Sequence, residues 1–191
     1  MEKVFVCASM QLAKNQNINS QAQKLGTILA QNDVKYVQGG YNGGLMGLTL
    51  NAFLQKSKNV EFYIPKAYYD YDAPNLEKLV GKEYFKAYKV NGEAERLKRI
   101  VKCDKVVVLP GGTGTIEELL YSNETARAKE HTAQIYLINI DGYFDGFLKQ
   151  VKLSIDQGFS TPEAIKFTVL NSVDELSFDN IDNKINSLNK S

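Results

Sequence analysis

Lys105-Val106-Val107-Val108-Leu109-Pro110-Gly111-Gly112-Thr113-Gly114-Thr115-Ile116-Glu117-Glu118 is the stretch that decides the fold. Residues 105–109 form a short apolar run rich in valine, the pattern of a strand buried on both faces. Pro110 and the glycines interrupt it, and a helix-period segment then runs to about Lys129. Strand, glycine loop and helix together make half of a parallel, right-handed crossover unit. The same alternation extends in both directions. Upstream, strands are expected at 3–7, 34–37, 60–64 and 85–90. Helices are expected from Asn19 or Ser20 as cap to about Asn32, over 45–54 and over 93–102. Residues 66–83, rich in tyrosine and carrying Asp70, Asp72 and Pro74, read as a loop or lid with short helical pieces. Downstream, strands at 134–140 and 167–170 flank a helix over 144–156, and Ile181, Ile185 and Leu188 suggest a final amphipathic helix. The expected fold is a single doubly wound α/β domain over 1–191, Rossmann-like, with a mainly parallel sheet. In such sheets a ligand lies outside the carboxyl ends of the strands.

Composition narrows the classes. The 191 residues are 43% hydrophobic and 24% charged, enough for one core without disulfide or metal support. Their 23 Lys and Arg against 22 Asp and Glu give a net charge of +1, which argues against a nucleic-acid partner. No apolar run approaches the roughly 20 residues of a membrane span. The chain opens directly on a strand with no secretory pattern, so a cytoplasmic protein is expected. Cys7 and Cys103 read as small buried hydrophobes. His131 is the sole histidine, and no clustered ligand spacing suggests zinc, so no catalytic metal is expected.

The glycine loops carry the chemistry. Residues 111–114 hold three glycines in four positions, more than a turn needs, at a helix start whose free N–H groups suit a phosphate. Thr113 and Thr115 add hydroxyls. The Walker pattern is absent, and the dinucleotide fingerprint fails because Glu117 stands where its third glycine belongs. A second loop, Gly39-Gly40-Tyr41-Asn42-Gly43-Gly44-Leu45-Met46-Gly47, also joins a strand to a helix. Two such loops after parallel strands converge on one crevice, favouring a nucleotide or sugar phosphate. Glu117 and Glu118 have a bland reading: Thr115-x-x-Glu118 is a capping-box pattern, and first-turn acids suit the helix dipole. Arg96, beside Lys98 and Arg99, has one too, as part of a solvated helix face. Tyr63, Tyr68, Tyr69, Tyr71 and Tyr84 are candidates either for stacking on a purine or for packing.

Residues 110–118, PGGTGTIEE, resemble the PGGxGTxxE signature of the LOG family, the cytokinin riboside 5′-monophosphate phosphoribohydrolases, whose bacterial members are also labelled lysine decarboxylase-like. GGYNGGLMG at 39–47 is similar to the family's GGGxxGLMG, INIDGYFD at 138–145 to its LNVDGYYD, and Cys7-Ala8-Ser9 to its opening CGS. The resemblance implies hydrolysis of a nucleoside 5′-monophosphate, such as AMP, to free base and ribose 5-phosphate, without cofactor, by a homodimer. It places the phosphate on Gly111, Gly112, Thr113, Gly114 and Thr115, and gives Glu118 the role of catalytic carboxylate. Arg96 is the counterpart of the catalytic arginine in MxxRK. The matching segments add Ser9, Gly39, Gly40, Gly44 and Met46 as substrate-binding residues. Three features depart from the pattern: Glu93 and Leu97 flank Arg96 where methionine and lysine are expected, the spacing to Asp104 is one residue short, and Tyr41 replaces a glycine. Two other classes remain open, a non-catalytic nucleotide or cofactor carrier and a nucleoside deoxyribosyltransferase-like enzyme. Apolar residues of 45–53 could serve the dimer contact or the core.

Overall fold

A computed structural model describes residues 1–178; the helix expected around Ile181, Ile185 and Leu188 lies outside them. Seven strands form one sheet: β1 (Lys3–Cys7), β2 (Lys35–Gln38), β3 (Val60–Pro65), β4 (Ala87–Val90), β5 (Lys105–Val108), β6 (Gln134–Ile138) and β7 (Phe167–Leu170). Their order is β4-β3-β2-β1-β5-β6-β7, and every pairing is parallel. Six helices cover it: α1 (Gln16–Gln31), α2 (Gly44–Leu54), α3 (Lys66–Val80), α4 (Glu93–Ile100), α5 (Thr113–Arg127) and α6 (Asp145–Asp156). The fold is the doubly wound, Rossmann-like α/β fold expected from the alternation.

Alternation along each strand divides the core into two layers. Val4 and Val6 of β1 join Leu25, Leu50, Phe53 and Leu76 of α1, α2 and α3 on one face. Phe5 and Cys7 join Leu97, Ile100 and Leu119 of α4 and α5, with Phe144, on the other. Both cysteines are free and buried. Among the described residues, no helix is long and apolar enough to cross a membrane.

Two expectations are corrected. The segment 66–83 is not a loop: α3 is a continuous helix across Pro74, which lies exposed. Ala73, Leu76 and Val80 give it a buried stripe at helical spacing, and that packing outweighs the missing proline N–H. The first helix starts earlier than Asn19. Asn15 caps it by accepting from the Asn17 N–H at 2.9 Å, while Asn19 is engaged with both backbone groups of Ala13. Of the α2 residues open to either a core or a dimer role, Leu45, Leu50 and Phe53 are fully buried and Met46 nearly so, which puts them in the core, while Leu48 is half-buried.

Candidate functional site

The order of the sheet reverses direction at β1, whose neighbours are β2 and β5. The turns after these three strands meet at their carboxyl ends, where a crevice is expected. Ser9, just past β1, ties them together. Its N–H donates to the Pro110 carbonyl at 3.3 Å, its carbonyl accepts from Met46 N–H at 3.2 Å, and its Oγ accepts from Gln11 N–H at 2.9 Å.

The turn after β2 depends on glycine at two places. A Cβ on Gly39 would lie 2.9 Å from Nη1 of Arg96, so only a bare backbone lets the guanidinium cross the loop. Gly44 has φ +56°, and a Cβ there would lie 2.2 Å from the Met10 carbonyl carbon. The turn after β5 runs into α5, with Gly112 as cap. The ladder of α5 begins with Ile116 N–H donating to the Gly112 carbonyl at 3.2 Å, which leaves the amides of Thr113, Gly114 and Thr115 ahead of it. Together with the positive end of the helix dipole they form an anion-binding surface.

One cavity of about 290 Å³ is lined by Ser9, Gly39, Met46, Arg96, Gly112, Thr113, Gly114, Thr115 and Glu118. These nine are candidates from the sequence; Val6, Ala8, Met10 and Gln11, which also line it, are not. Gly40 lines an adjoining cavity of about 380 Å³, which shares Met10, Gly39, Met46 and Arg96 with the first. Gly44 and Gly111 line neither. Gly44 packs on the Met10–Gln11 backbone, and Gly111 is pressed against the Thr115 side chain. Their contribution is to shape the loops.

Glu118 is not a cap. With Gly112 as cap and Thr113 as the first helical residue, Glu117 and Glu118 fall in the second turn, and the first turn of α5 holds no acid. Glu118 faces inward, 6% exposed, and its Oε1 accepts from Nη1 of Arg96 at 2.5 Å. Arg96 in turn is not on a solvated face. Its side chain is 14% exposed, and its Nε and Nη2 grip Glu93 at 2.6 Å. Burial raises the Glu118 carboxyl above the ordinary 4.5, although Arg96 and the Cys7 thiol, which donates to it, pull the other way. Burial also works against charge on Arg96, but Glu118 and Glu93 outweigh it and keep the guanidinium protonated. Two carboxylates around one guanidinium leave this corner of the cavity with a net negative charge.

Two residues escaped sequence reasoning. Tyr143 donates its hydroxyl to the Gly111 carbonyl at 2.7 Å and so bolts the loop after β6 to the phosphate loop. Its signal was the DGYF segment, which was matched as a whole without a role for its tyrosine. Glu93 was seen only as a departure from MxxR. Of the five tyrosines considered for stacking, Tyr68 and Tyr71 line the second cavity, together with Tyr41. Tyr63 is buried and donates to Glu61, Tyr69 packs on the core, and Tyr84 lies at a different surface near Lys56 and Glu83. Among the described residues, no group of three or more His, Cys, Asp or Glu is placed to hold a metal.

A doubly wound sheet with two glycine-lined turns around a buried Arg–Glu pair defines a Rossmann-like α/β protein with a crevice at the carboxyl ends of its central strands. The chain matches the family described as "Possible lysine decarboxylase" over residues 39–179, and it belongs to that family, the LOG family. It is 30% identical over 164 residues to the cytokinin riboside 5′-monophosphate phosphoribohydrolase LOG3 of Arabidopsis thaliana, covering 85% of this chain and 73% of that one. It is 29% identical over 167 residues to the enzyme of the same name, LOG, of Oryza sativa subsp. japonica, covering 86% of this chain and 66% of the relative. The chain thus spans a little under two thirds of the length of the first rice relatives it matches. In fold it is also similar to the molybdenum cofactor carrier protein of Chlamydomonas reinhardtii, with a TM-score of 0.61, 13% identity and full coverage of both chains.

Proposed function

We propose that the chain hydrolyses the N-glycosidic bond of a nucleoside 5′-monophosphate, AMP or an N6-substituted relative, to free base and ribose 5-phosphate. The observation that carries this reading is the position of the buried Glu118–Arg96 pair on the floor of the cavity whose rim is the amide end of α5. Glu118 follows Gly114 by four residues, so its carboxylate lies on the same helix face, about one turn or ~5 Å further along. A phosphate held at residues 112–115 would leave the ribose beside that carboxylate.

The parts suit the reaction. Departure of the base develops positive charge on the ribose ring, as in glycoside hydrolysis. Glu118 stabilises that charge and orients the attacking water. The surplus negative charge of Glu118 and Glu93 over Arg96 favours a cationic transition state over a neutral ground state. Among the described residues Arg96 is the sole basic side chain lining either cavity, so the helix amides and threonine hydroxyls carry most of the phosphate. Arg96 holds Glu118 in place through a charge-assisted bond.

The family's description raises a decarboxylase, whose pyridoxal-type cofactor needs a lysine for its Schiff base. No lysine lines either cavity, so the residues present do not fit that group. A carrier is the second reading, favoured by the likeness to the molybdenum cofactor carrier fold. A carrier needs the loop but gains nothing from burying an ion pair, which carries a desolvation penalty of several kcal/mol per ion. The test is to incubate the chain with each common nucleoside 5′-monophosphate, without added metal, and resolve the products by chromatography. Free base and ribose 5-phosphate are expected. Tight binding with no free base from any of them, at high enzyme and long times, would favour the carrier.

A further inference from the structure

The second cavity carries one carboxylate, Asp72, that the hydrolase reading does not use. It opens from the phosphate-loop cavity past Gly39 and Met46. With the phosphate at the start of α5 and the ribose by Glu118, the base of the nucleotide would project across that rim. This placement rests on the hydrolase reading. The two spaces together match the roughly 300–1,000 Å³ of a ligand pocket.

Helix α3 supplies one wall of this second space. Tyr68 and Tyr71 are three residues apart on one helix face. They are 59% and 76% exposed, so their rings are largely uncovered by the rest of the chain. They are suited to stack on a flat base. Asp72 lies beside them and lines both this cavity and a neighbouring surface hollow that it shares with Tyr41, Asn75 and Lys78. The other carboxylate of the wall, Glu93, is engaged by Arg96 at 2.6 Å. Asp72 has no hydrogen-bond or ion-pair partner among the described residues, and it is only half exposed. Partial burial raises its carboxyl above its ordinary range. The neighbouring Asp70 differs: it is paired with Lys89 at 3.0 Å.

We infer that Asp72 is a specificity residue which accepts a hydrogen bond from an exocyclic amino group, so that the cavity selects amino bases over oxo bases. An ionised carboxylate has acceptors only. The amino group of adenine or cytosine satisfies it, and an N6-substituted adenine keeps one N–H for the same bond. The carbonyl oxygen of hypoxanthine or uracil in that place sets acceptor against acceptor. A site built for a donor rejects an analogue that lacks it far more strongly than an apolar pocket rejects a change of size, because its own polar group is left unpaired.

AMP and IMP form one test pair and CMP and UMP the other, since each pair differs by amino against oxo. Affinities are measured by equilibrium dialysis, and kcat/KM by product release, for the wild-type chain, Asp72→Asn and Asp70→Asn. The wild type is expected to favour AMP over IMP, and CMP over UMP, by roughly tenfold to a hundredfold. Asp72→Asn presents an amide that can donate as well as accept, so it should bring both ratios to within about threefold of unity, through weaker binding of AMP and tighter binding of IMP. Asp70→Asn should leave both ratios as they are. Near-equal affinity of the wild type for AMP and IMP, ratios unchanged in Asp72→Asn, or no binding of either nucleotide at millimolar concentration would each overturn the inference. An amino preference in binding, lost in Asp72→Asn, with no base released from any nucleotide, would refute the hydrolase and leave the inference standing. Thermal melting of each variant separates loss of selectivity from loss of fold.

Discussion

Glu118→Gln keeps the shape of the side chain and removes its charge. For stability, two effects oppose each other. The bond from Arg96 at 2.5 Å passes from an ion pair to a neutral amide oxygen, which weakens it by up to about 1.5–3 kcal/mol. Relief from keeping an ionised carboxylate in a buried site offsets it by a similar amount, since that desolvation amounts to several kcal/mol. Arg96 is not orphaned, because Glu93 still holds it at 2.6 Å. The net change should be about 1 kcal/mol or less, a shift in Tm of roughly 2–4 °C for a chain of this size. For turnover nothing offsets the loss. A neutral amide cannot stabilise an oxocarbenium, and kcat for ribose 5-phosphate release from AMP should fall by ~10²–10³. Binding of the phosphate should persist, because the amides of residues 113–115 are untouched. The pH dependence follows from the raised carboxyl pKa. The reactive form is the carboxylate, so the acid limb of kcat/KM should lie above the ordinary 4.5 and be absent from the residual activity of the variant. Folding stability has the opposite trend. An acid with a raised folded pKa binds its proton more readily in the folded chain, so its contribution is present below the unfolded pKa and is lost as pH rises through the folded value. Wild-type stability should therefore decline more than that of Glu118→Gln from pH 4.5 upward. A kcat within about threefold of wild type, at unchanged Tm, would refute the assignment of Glu118 to the chemistry.

The remaining expectations are these. Adenosine, which lacks the 5′-phosphate, should react with a kcat/KM at least ~10²-fold below that of AMP, since remote binding energy is lost from the transition state; equal values would show that the amide end of α5 does not hold the phosphate. Tyr143→Phe removes the bond to the Gly111 carbonyl, a loss of roughly 0.5–1.5 kcal/mol, and should raise KM for AMP several-fold with kcat less affected. Gly44→Ala must strain a residue at φ +56° and drive a methyl into the Met10 backbone, so a loss of about 1–3 kcal/mol or more should appear in urea melts. Light scattering at micromolar concentration should give the mass of a homodimer, as the family resemblance implies; its contact must use a face other than the buried residues of α2.

The fold was legible where periodicity was clean. KVVVL at 105–109 is apolar because β5 is covered on both faces, and β1 follows the same logic. Helix α3 was not legible, because Pro74, Asp70 and Asp72 are local breakers while the stripe Ala73, Leu76 and Val80 that fixes the helix is made by tertiary contact. The phosphate loop could be read from glycine spacing, since the need for bare backbone is written into the residue type. The Glu118–Arg96 pair could not be read from spacing. The residues are 22 apart, and short-range pattern pointed to a cap and to a solvated face. Only the family signature named them, and the structure shows why the local reading fails: α5 begins three residues earlier than the cap pattern assumes, with Gly112 and not Thr115 as cap. Glu93 and Asp72 stayed hidden because an acid at a helix surface is usually just solvated.

The position of α3 in the sheet order has an evolutionary consequence. The turns that carry Ser9, Gly39 and Gly112 hang from β1, β2 and β5, the innermost strands, where each is hydrogen-bonded on both sides. Helix α3 connects β3 to β4, and β4 is the edge of the sheet, with two of its four residues exposed. Insertions, deletions and exchanges are absorbed most readily at an edge, because few ladders have to re-register. The proposed hydrolytic residues and the proposed base-selecting residue therefore sit on parts of the chain with unequal freedom to drift. A descendant could exchange the α3–β4 segment as a cassette and acquire a new preferred base, while the strands that hold the reacting centre stay fixed.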